Sequence, residues 1–408
     1  MKYYFNLVFK VFLIFTIKFT SVFSQTNQVG LNGNVGIGTT IPNSLLHTKN
    51  GSVLVEGNSG TTPISGGGTR MMWVGEKSAF RFGTVTDNQW NHDSIGYASF
   101  AGGYDSKAIG VYSFAHGNLA VARGMNAFAL GTQAKANGVY SVAFTTGTAN
   151  GSYSISLGFL SEASGDNSIA MGYKAKTSYS NSVAIGKETE ALGTYSLAIG
   201  TSAKASQSYA SAIGNNSAAN ANYAFAIGTN AIANYAYSTA IGSNITAAAT
   251  KSIVLGVGID SSTPLVNDNG SSLMVGFNSD IPTLFVSSSS GVGTFGNVGI
   301  GTTSPQSTLA VNGKITAKEV EVTLDGWSDF VFEENFNLKP ISEVEQYINT
   351  NKHLPDVPSE QEVIENGVNL GQMQSILLQK IEELTLYIIQ LEKQNRALYN
   401  KIELLGKK

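Results

Sequence analysis

Between residues 99 and 256 the chain repeats itself every fourteen residues, and no other feature restricts its fold as much. The unit reads Ser-x-Ala-x-Gly with bulky apolar residues at x. The clearest copy is Asn181-Ser182-Val183-Ala184-Ile185-Gly186, and residues 168–172, 196–200 and 238–242 repeat it. Glycine closes the unit at Gly103, Gly117 and Gly131, then at Gly158 and each fourteenth residue through position 256. The copy at 141–145 ends in Thr145 instead, and the step from Ser141 to Ser154 is thirteen. Twelve copies in register define a repeat architecture before anything else about the chain is considered.

Within the unit Ser182, Ala184 and Gly186 fall on one face and Val183 and Ile185 on the other, which is the period of a strand rather than of a helix. The second half of each unit holds small residues two apart, such as Ala134 with Ala136 and Ala203 with Ala205. That spacing predicts a second short strand per unit, with Asn, Gly, Ser and Thr supplying the turns. Fourteen residues are too few for a propeller blade or a helical hairpin, but they suit one coil of a β-solenoid. Coils stack about 4.8 Å apart, so twelve make a rod on the order of 60 Å long. One face of the first strand is small and the other large and apolar; the pattern leaves open which fills the interior. Either way a greasy stripe is left over, longer than soluble monomers tolerate, so the rod is expected to bury it against sister copies.

The fourteen-residue Ser-x-Ala-x-Gly repeat resembles the head of trimeric autotransporter adhesins of the YadA type, and residues 181–186 match that head motif letter for letter. The resemblance covers residues 99–256. It implies a trimeric, left-handed parallel β-roll displayed at a cell surface, often in contact with matrix proteins. The motif residues themselves are expected to be structural and not to touch a ligand.

Charged residues are only 13% of the 408, about half the usual share, and the net charge is −3, which argues against a nucleic-acid partner. There is no cysteine, so disulfides, thiolate metal sites and a lipidated N-terminal cysteine are excluded. Residues 1–24 read as a signal peptide: Lys2 near the start, a short apolar run at 11–17, and Val22-Phe23-Ser24 before the expected cleavage. Lys10 and Lys18 interrupt the run, so it is too short to span a bilayer, and no transmembrane helix is expected in the mature chain.

Residues 25–98 are expected to form an N-terminal β-module and cap. Asn34-Val35-Gly36-Ile37-Gly38-Thr39-Thr40 opens this region and returns almost unchanged as Asn297-Val298-Gly299-Ile300-Gly301-Thr302-Thr303. Both copies lead toward strand-like runs, at 52–55 and 308–311. The Gly-x-Gly lacks the third glycine, the Lys-Ser/Thr ending and the following helix of a phosphate loop. Trp73, Phe80, Phe82 and Trp90 cluster just before the repeat. They suit a cap over the first open coil, with a ligand patch at the tip as the sharper alternative. Residues 257–325 read as a β connector, with strands at 272–277 and 283–286.

Composition then shifts. Residues 326–368 read as a small folded segment with a helical stretch at 341–348 and a capping box at Ser359 and Glu362. Residues 369–408 read as a parallel coiled coil, with Ile381, Ile388, Asn395 and Ile402 at a and Leu377, Leu384, Leu391, Leu398 and Leu405 at d. That choice of residues favours two strands, whereas the head resemblance implies three, and twelve repeats outweigh four heptads. Residues 327–405 also resemble, more loosely, the chaperone domains that end phage tail spikes. Those domains can cut themselves off with a serine and a lysine five residues on. Ser328 is present, but Glu333 stands at the lysine position, so self-cleavage is not expected. The chain as given ends in this helical pattern rather than in the strands of an outer-membrane barrel, so that family's export route is not carried over.

His47, His92, His116 and His353 are isolated, and Asp87, His92 and Asp93 lack a serine in context. No catalytic, cofactor-binding or metal residue is assigned, and the chain is not expected to be an enzyme. Together these readings describe a mostly β, secreted, homotrimeric fibrous protein. It has an adhesin-like head that attaches to a matrix protein, a glycan or other cells. The alternative is a tail-fibre-like spacer without a ligand site in the rod.

Overall fold

A computed structural model describes residues 28–29, 33–323, 327 and 329–406. The signal-like residues 1–24 and Ser328 lie outside the described residues. The chain forms two units, divided between Gly313 and Lys314.

The first unit is built around the β-solenoid. Each coil contributes the Ser-x-Ala-x-Gly strand and a short second strand, and each pairs in parallel with its counterpart one coil away. Val183, Ala184, Ile185 and Gly186 face Leu197, Ala198, Ile199 and Gly200, and Glu190 and Ala191 face Lys204 and Ala205. The small residues point inward. Ala184 and Ala198 of the first strand and Ala191, Ala203 and Ala205 of the second are fully buried, as are Ser168 and Ser182. Two walls of alanine leave a narrow lumen that in mid-rod takes only alanine, serine or, as at Thr177, threonine, so valine, isoleucine and leucine at x lie outside. The lumen admits bulk only near its ends. Ile245, Val254, Leu265, Met274 and Phe285 fill one end, and Val74, Val85, Trp90 and Ile95 fill the other.

The repeated serine has a definite task. Its hydroxyl points into the lumen and donates to the carbonyl three residues back, Ser196 to Gly193 and Ser168 to Gly165 at 2.6 Å, closing the turn that precedes the strand. A buried hydroxyl without such a partner would be costly. The thirteen-residue coil loses its residue at a turn. Leu130 pairs with Phe144 and Lys135 with Thr148, so four steps replace five between the two strands. Thr145 takes a left-handed conformation at φ 55°, and Gly147 N–H closes the shortened turn on Phe144 O. Register on both strands survives.

The stack extends past the repeat at both edges, which corrects the boundary expected at residues 99 and 256. Ile253 and Gly256 face Leu273 and Gly276 in one further parallel coil, and Ser272 donates to Asn269 O as the repeat serines do. At the other edge Phe80 and Gly83 face Phe100 and Gly103. Both steps are twenty residues instead of fourteen, because each coil carries a longer loop, and that is why the periodicity conceals them. Strand Ala79–Val85 also pairs antiparallel with Gly68–Val74.

Arg81 occupies the alanine position of this first coil and is completely buried. It donates to Phe80 O, Ser99 O, Ser99 Oγ and Ala108 O at 2.7–3.0 Å. Burial lowers its guanidinium to about 10, so at neutral pH it is a cation held by three carbonyls and one hydroxyl. Ser99 O and Ala108 O also accept from Phe80 N–H and Gly96 N–H, so neither is orphaned when the arginine goes. Arg81→Ala is therefore expected to cost about 3 kcal/mol through the cavity it leaves. Arg81→Met, which fills the space without a desolvated charge, should stay within about 1.5 kcal/mol of the parent. Thermal unfolding of the two variants separates cavity from charge.

The twin glycine motifs fold alike. Val35–Ile37 pairs in parallel with Leu46–Thr48, and Val298–Ile300 with Leu309–Val311. A Cβ on Gly36 would lie 2.4 Å from Thr39 O, and one on Gly299 2.3 Å from Thr302 O, so both glycines answer to the same tight turn. Residues 52–55, expected as a strand, are not one; the partner comes earlier, at Leu46–Thr48, matching the eleven-residue offset of the second copy. Strand Leu284–Val286 joins Val298–Ile300 to the last coil through antiparallel pairing.

The second unit contains helices α1 (Ile341–Asn351), α2 (Glu360–Asn366) and α3 (Leu370–Gly406). Ser359 and Glu362 form the reciprocal capping box at the start of α2. Lys380 on α3 reaches both Asp356 and Glu383 at 2.9 Å, and the hydrogen bond from Lys380 holds the Asp356 carboxyl below its usual range. Tyr387 donates to Lys339 O, tying the segment before α1 to α3.

Candidate functional site: the outer surfaces of the rod

Pushing the large side chains outward gives the rod distinct sides. Along the first strand Phe100, Phe114 and Phe128 stack with centroids 4.9 and 4.6 Å apart, and Val142, Ile155, Ile169, Val183 and Leu197 continue the column. Beside them run Leu157, Met171, Ile185, Ile199, Ile213, Ile227 and Ile241. Met171, Ile185 and Ile241 are 37%, 36% and 40% exposed, so part of the column stays open to solvent within one chain. Phe80 and Phe82, expected as part of a cap, belong to this stripe. Phe80 stacks on Phe100 at 5.8 Å, and Phe82 packs against Phe100 and His116. Trp90 alone of the expected cluster is fully buried, with its indole N–H on Ser106 O.

The second strand faces outward with charge. Glu162 pairs with Lys176 at 3.8 Å and Glu190 with Lys204 at 2.9 Å, all well exposed. Exposed pairs of this kind contribute little stability, so this side reads as a solvated face.

A third surface lies at the corner before the first strand. There the residue preceding each repeat serine or its alanine substitute adopts φ between 50° and 60°. Asn126, Asn167 and Asn181 hold that corner in three coils, and tyrosine holds it in seven: Tyr112, Tyr140, Tyr153, Tyr195, Tyr209, Tyr223 and Tyr237. The last four stack in an unbroken ladder, with centroids 5.1, 4.8 and 4.9 Å apart and planes within 11°. Tyrosine recurring just before the repeat serine is visible in the chain, but the strand alternation that defines the repeat does not single this column out.

Of the residues weighed for chemistry, His92 and Asp93 share the short turn His92–Ser94, and His92 Nδ1 is buried without a partner. His116 stacks on Phe82, and His353 meets Tyr347 edge-on. Among the described residues no group of three or more His, Cys, Asp or Glu is placed to hold a metal ion, and no helix is long and apolar enough to cross a membrane.

Four segments match the family model of the YadA head domain repeat (2 copies): residues 122–144, 163–189, 191–217 and 219–244. No curated protein matches the chain. The matched segments lie in the middle of the stack, where each coil turns its alanines into the lumen. Residues 122–244 are thus built of YadA head domain repeats, and the solenoid is a YadA-like head.

Proposed function

We propose that the chain is an exported, homotrimeric surface adhesin. In this reading three rods pack stripe to stripe, α3 forms a parallel coiled coil, and the remaining outer surfaces hold a matrix protein or a glycan. The observation that carries the reading is the inversion of the rod. Its interior is alanine and serine, and its large apolar side chains form a continuous outer strip opposite a charged side. Such a strip is what monomers avoid and what interfaces between copies use. The YadA head repeats support the same reading. So does α3, whose heptad residues Ile381, Leu384, Ile388, Leu391 and Leu398 are all more than half exposed in one chain. The groove between α1 and α3, lined by Ile341, Val344, Ile348, Leu377, Ile381 and Leu384, is apolar in the same way. Export rests on the signal-like residues 1–24.

Sedimentation velocity of the full chain after signal removal is expected to give three copies; a monomer at micromolar concentration rejects the trimer. Protease shaving of intact cells should release peptides of the head, and their recovery only from the periplasm rejects surface display. Trimers that bind neither matrix proteins nor glycans would leave the tail-fibre-like spacer as the function.

A further inference from the structure

We propose that the corner ladder Tyr195–Tyr209–Tyr223–Tyr237 is a binding edge for an extended, uncharged glycan, with about one sugar ring per coil. The assignment rests on the adhesin reading and names its ligand class and site.

Four observations carry it. The first is backbone strain. All four tyrosines sit at φ 58–60°, where a bulky side chain is disfavoured and asparagine is at ease. Asparagine does hold this corner at Asn126, Asn167 and Asn181, so the fold does not require tyrosine there. The second is the choice of aromatic. On the neighbouring outer strand the chain stacks phenylalanine, as in Phe100, Phe114 and Phe128. At the corner every aromatic carries a hydroxyl. Stacking alone needs no hydroxyl, and the four rings are about half exposed, with no hydrogen bond from those hydroxyls to any of the described residues.

The third is spacing. The rings recur at 4.8–5.1 Å along the rod. An extended polypeptide presents side chains to one face about every 6.6 Å, and a polyproline helix about every 9 Å, so neither stays in step with the ladder. A diequatorially linked hexopyranose chain advances by about one coil rise per ring and meets each tyrosine in the same way. The fourth is charge. The corner segments read Gly193-Thr194-Tyr195-Ser196, Gln207-Ser208-Tyr209-Ala210, Ala221-Asn222-Tyr223-Ala224 and Tyr235-Ala236-Tyr237-Ser238, with no charged residue among them. Thr194, Ser208 and Asn222 add hydroxyl and amide groups suited to a neutral polyol.

The test is calorimetric titration of the full chain with cellohexaose and chitohexaose, using maltohexaose, whose α-linked chain curls, as the contrast. Binding of one of the straight hexaoses and not of maltohexaose is expected. Replacing all four ladder residues by asparagine, the corner's other native occupant, should weaken that binding by about a hundredfold. The rod should keep its sedimentation coefficient and melting temperature. The quadruple Tyr→Phe variant keeps the stack and should lose as much affinity, because the hydroxyls are removed. Failure of both straight hexaoses to bind overturns the proposal, as does undiminished binding by the variants. Loss of the oligomer on Tyr→Asn substitution also overturns it, by placing the ladder between copies. Should the full chain adhere to a protein matrix independently of these tyrosines, the ladder assignment fails and the adhesin reading stands. Adhesion to no surface at all removes both.

Discussion

Gly186→Ala is expected to remove about 3–5 kcal/mol of stability, from overpacking and backbone strain acting together. Gly186 sits at φ 130°, and a Cβ there would lie 1.8 Å from the carbonyl oxygen of Gly200 in the next coil. The obstacle is backbone, and that backbone is itself clamped by the coil beyond, where a Cβ on Gly200 would meet Gly214 O at 2.1 Å. No side chain can rotate away to make room. Because a solenoid is stabilised by nearest-neighbour stacking, a defect in the middle breaks the array into two shorter ones. Gly276→Ala is the matched control. Gly276 ends the column, its φ is not in the positive region, and the nearest atoms to an added Cβ are at 3.2–3.4 Å. Its cost should stay below about 1 kcal/mol. Urea midpoints for the two variants check the difference; equal midpoints would show that the glycine column is not held by coil-to-coil contact.

Ile199→Asp should convert the proposed trimer to monomers at micromolar concentration. Ile199 lies in the middle of the outer strip, flanked by Ile185 and Ile213 one coil on either side. In a stripe-to-stripe trimer the substitution places three carboxylates in an apolar contact without partners. Even at about 2–3 kcal/mol each, the assembly loses several orders of magnitude in association. The fold of a single rod should persist, since the side chain at this position points away from the lumen. Lys204→Gln, on the charged side, should leave assembly unchanged. Sedimentation velocity distinguishes these outcomes, and an intact Ile199→Asp trimer would show that the strip is not the interface.

Much of this molecule was legible in the chain. The period of fourteen predicts two strands per coil because alternation within a strand and turn residues between strands are local properties. The capping box at Ser359 and Glu362 and the long helix from Leu370 are likewise written in short-range spacing. The tyrosine corner was present as a recurring letter, but its meaning depends on a left-handed backbone that no side-chain pattern announces. Residues 52–55 looked like a strand by composition, yet a strand exists only where a partner lies. The partner of Val35–Ile37 is Leu46–Thr48.

By itself, then, the sequence determined that residues 99–256 stack as coils, where the strands and turns of each coil lie, and that one side must be apolar. Only the tertiary structure decided which side that is. Whether alanine or isoleucine faces inward depends on the width between two walls that are distant in the chain until the coil closes. Once the second strand also turns alanine inward, the middle of the lumen is too narrow for isoleucine or leucine. The ends of the stack were decided the same way. The coils at Gly83 and Gly276 break the period but keep the pairing, and pairing is a relation between strands in space.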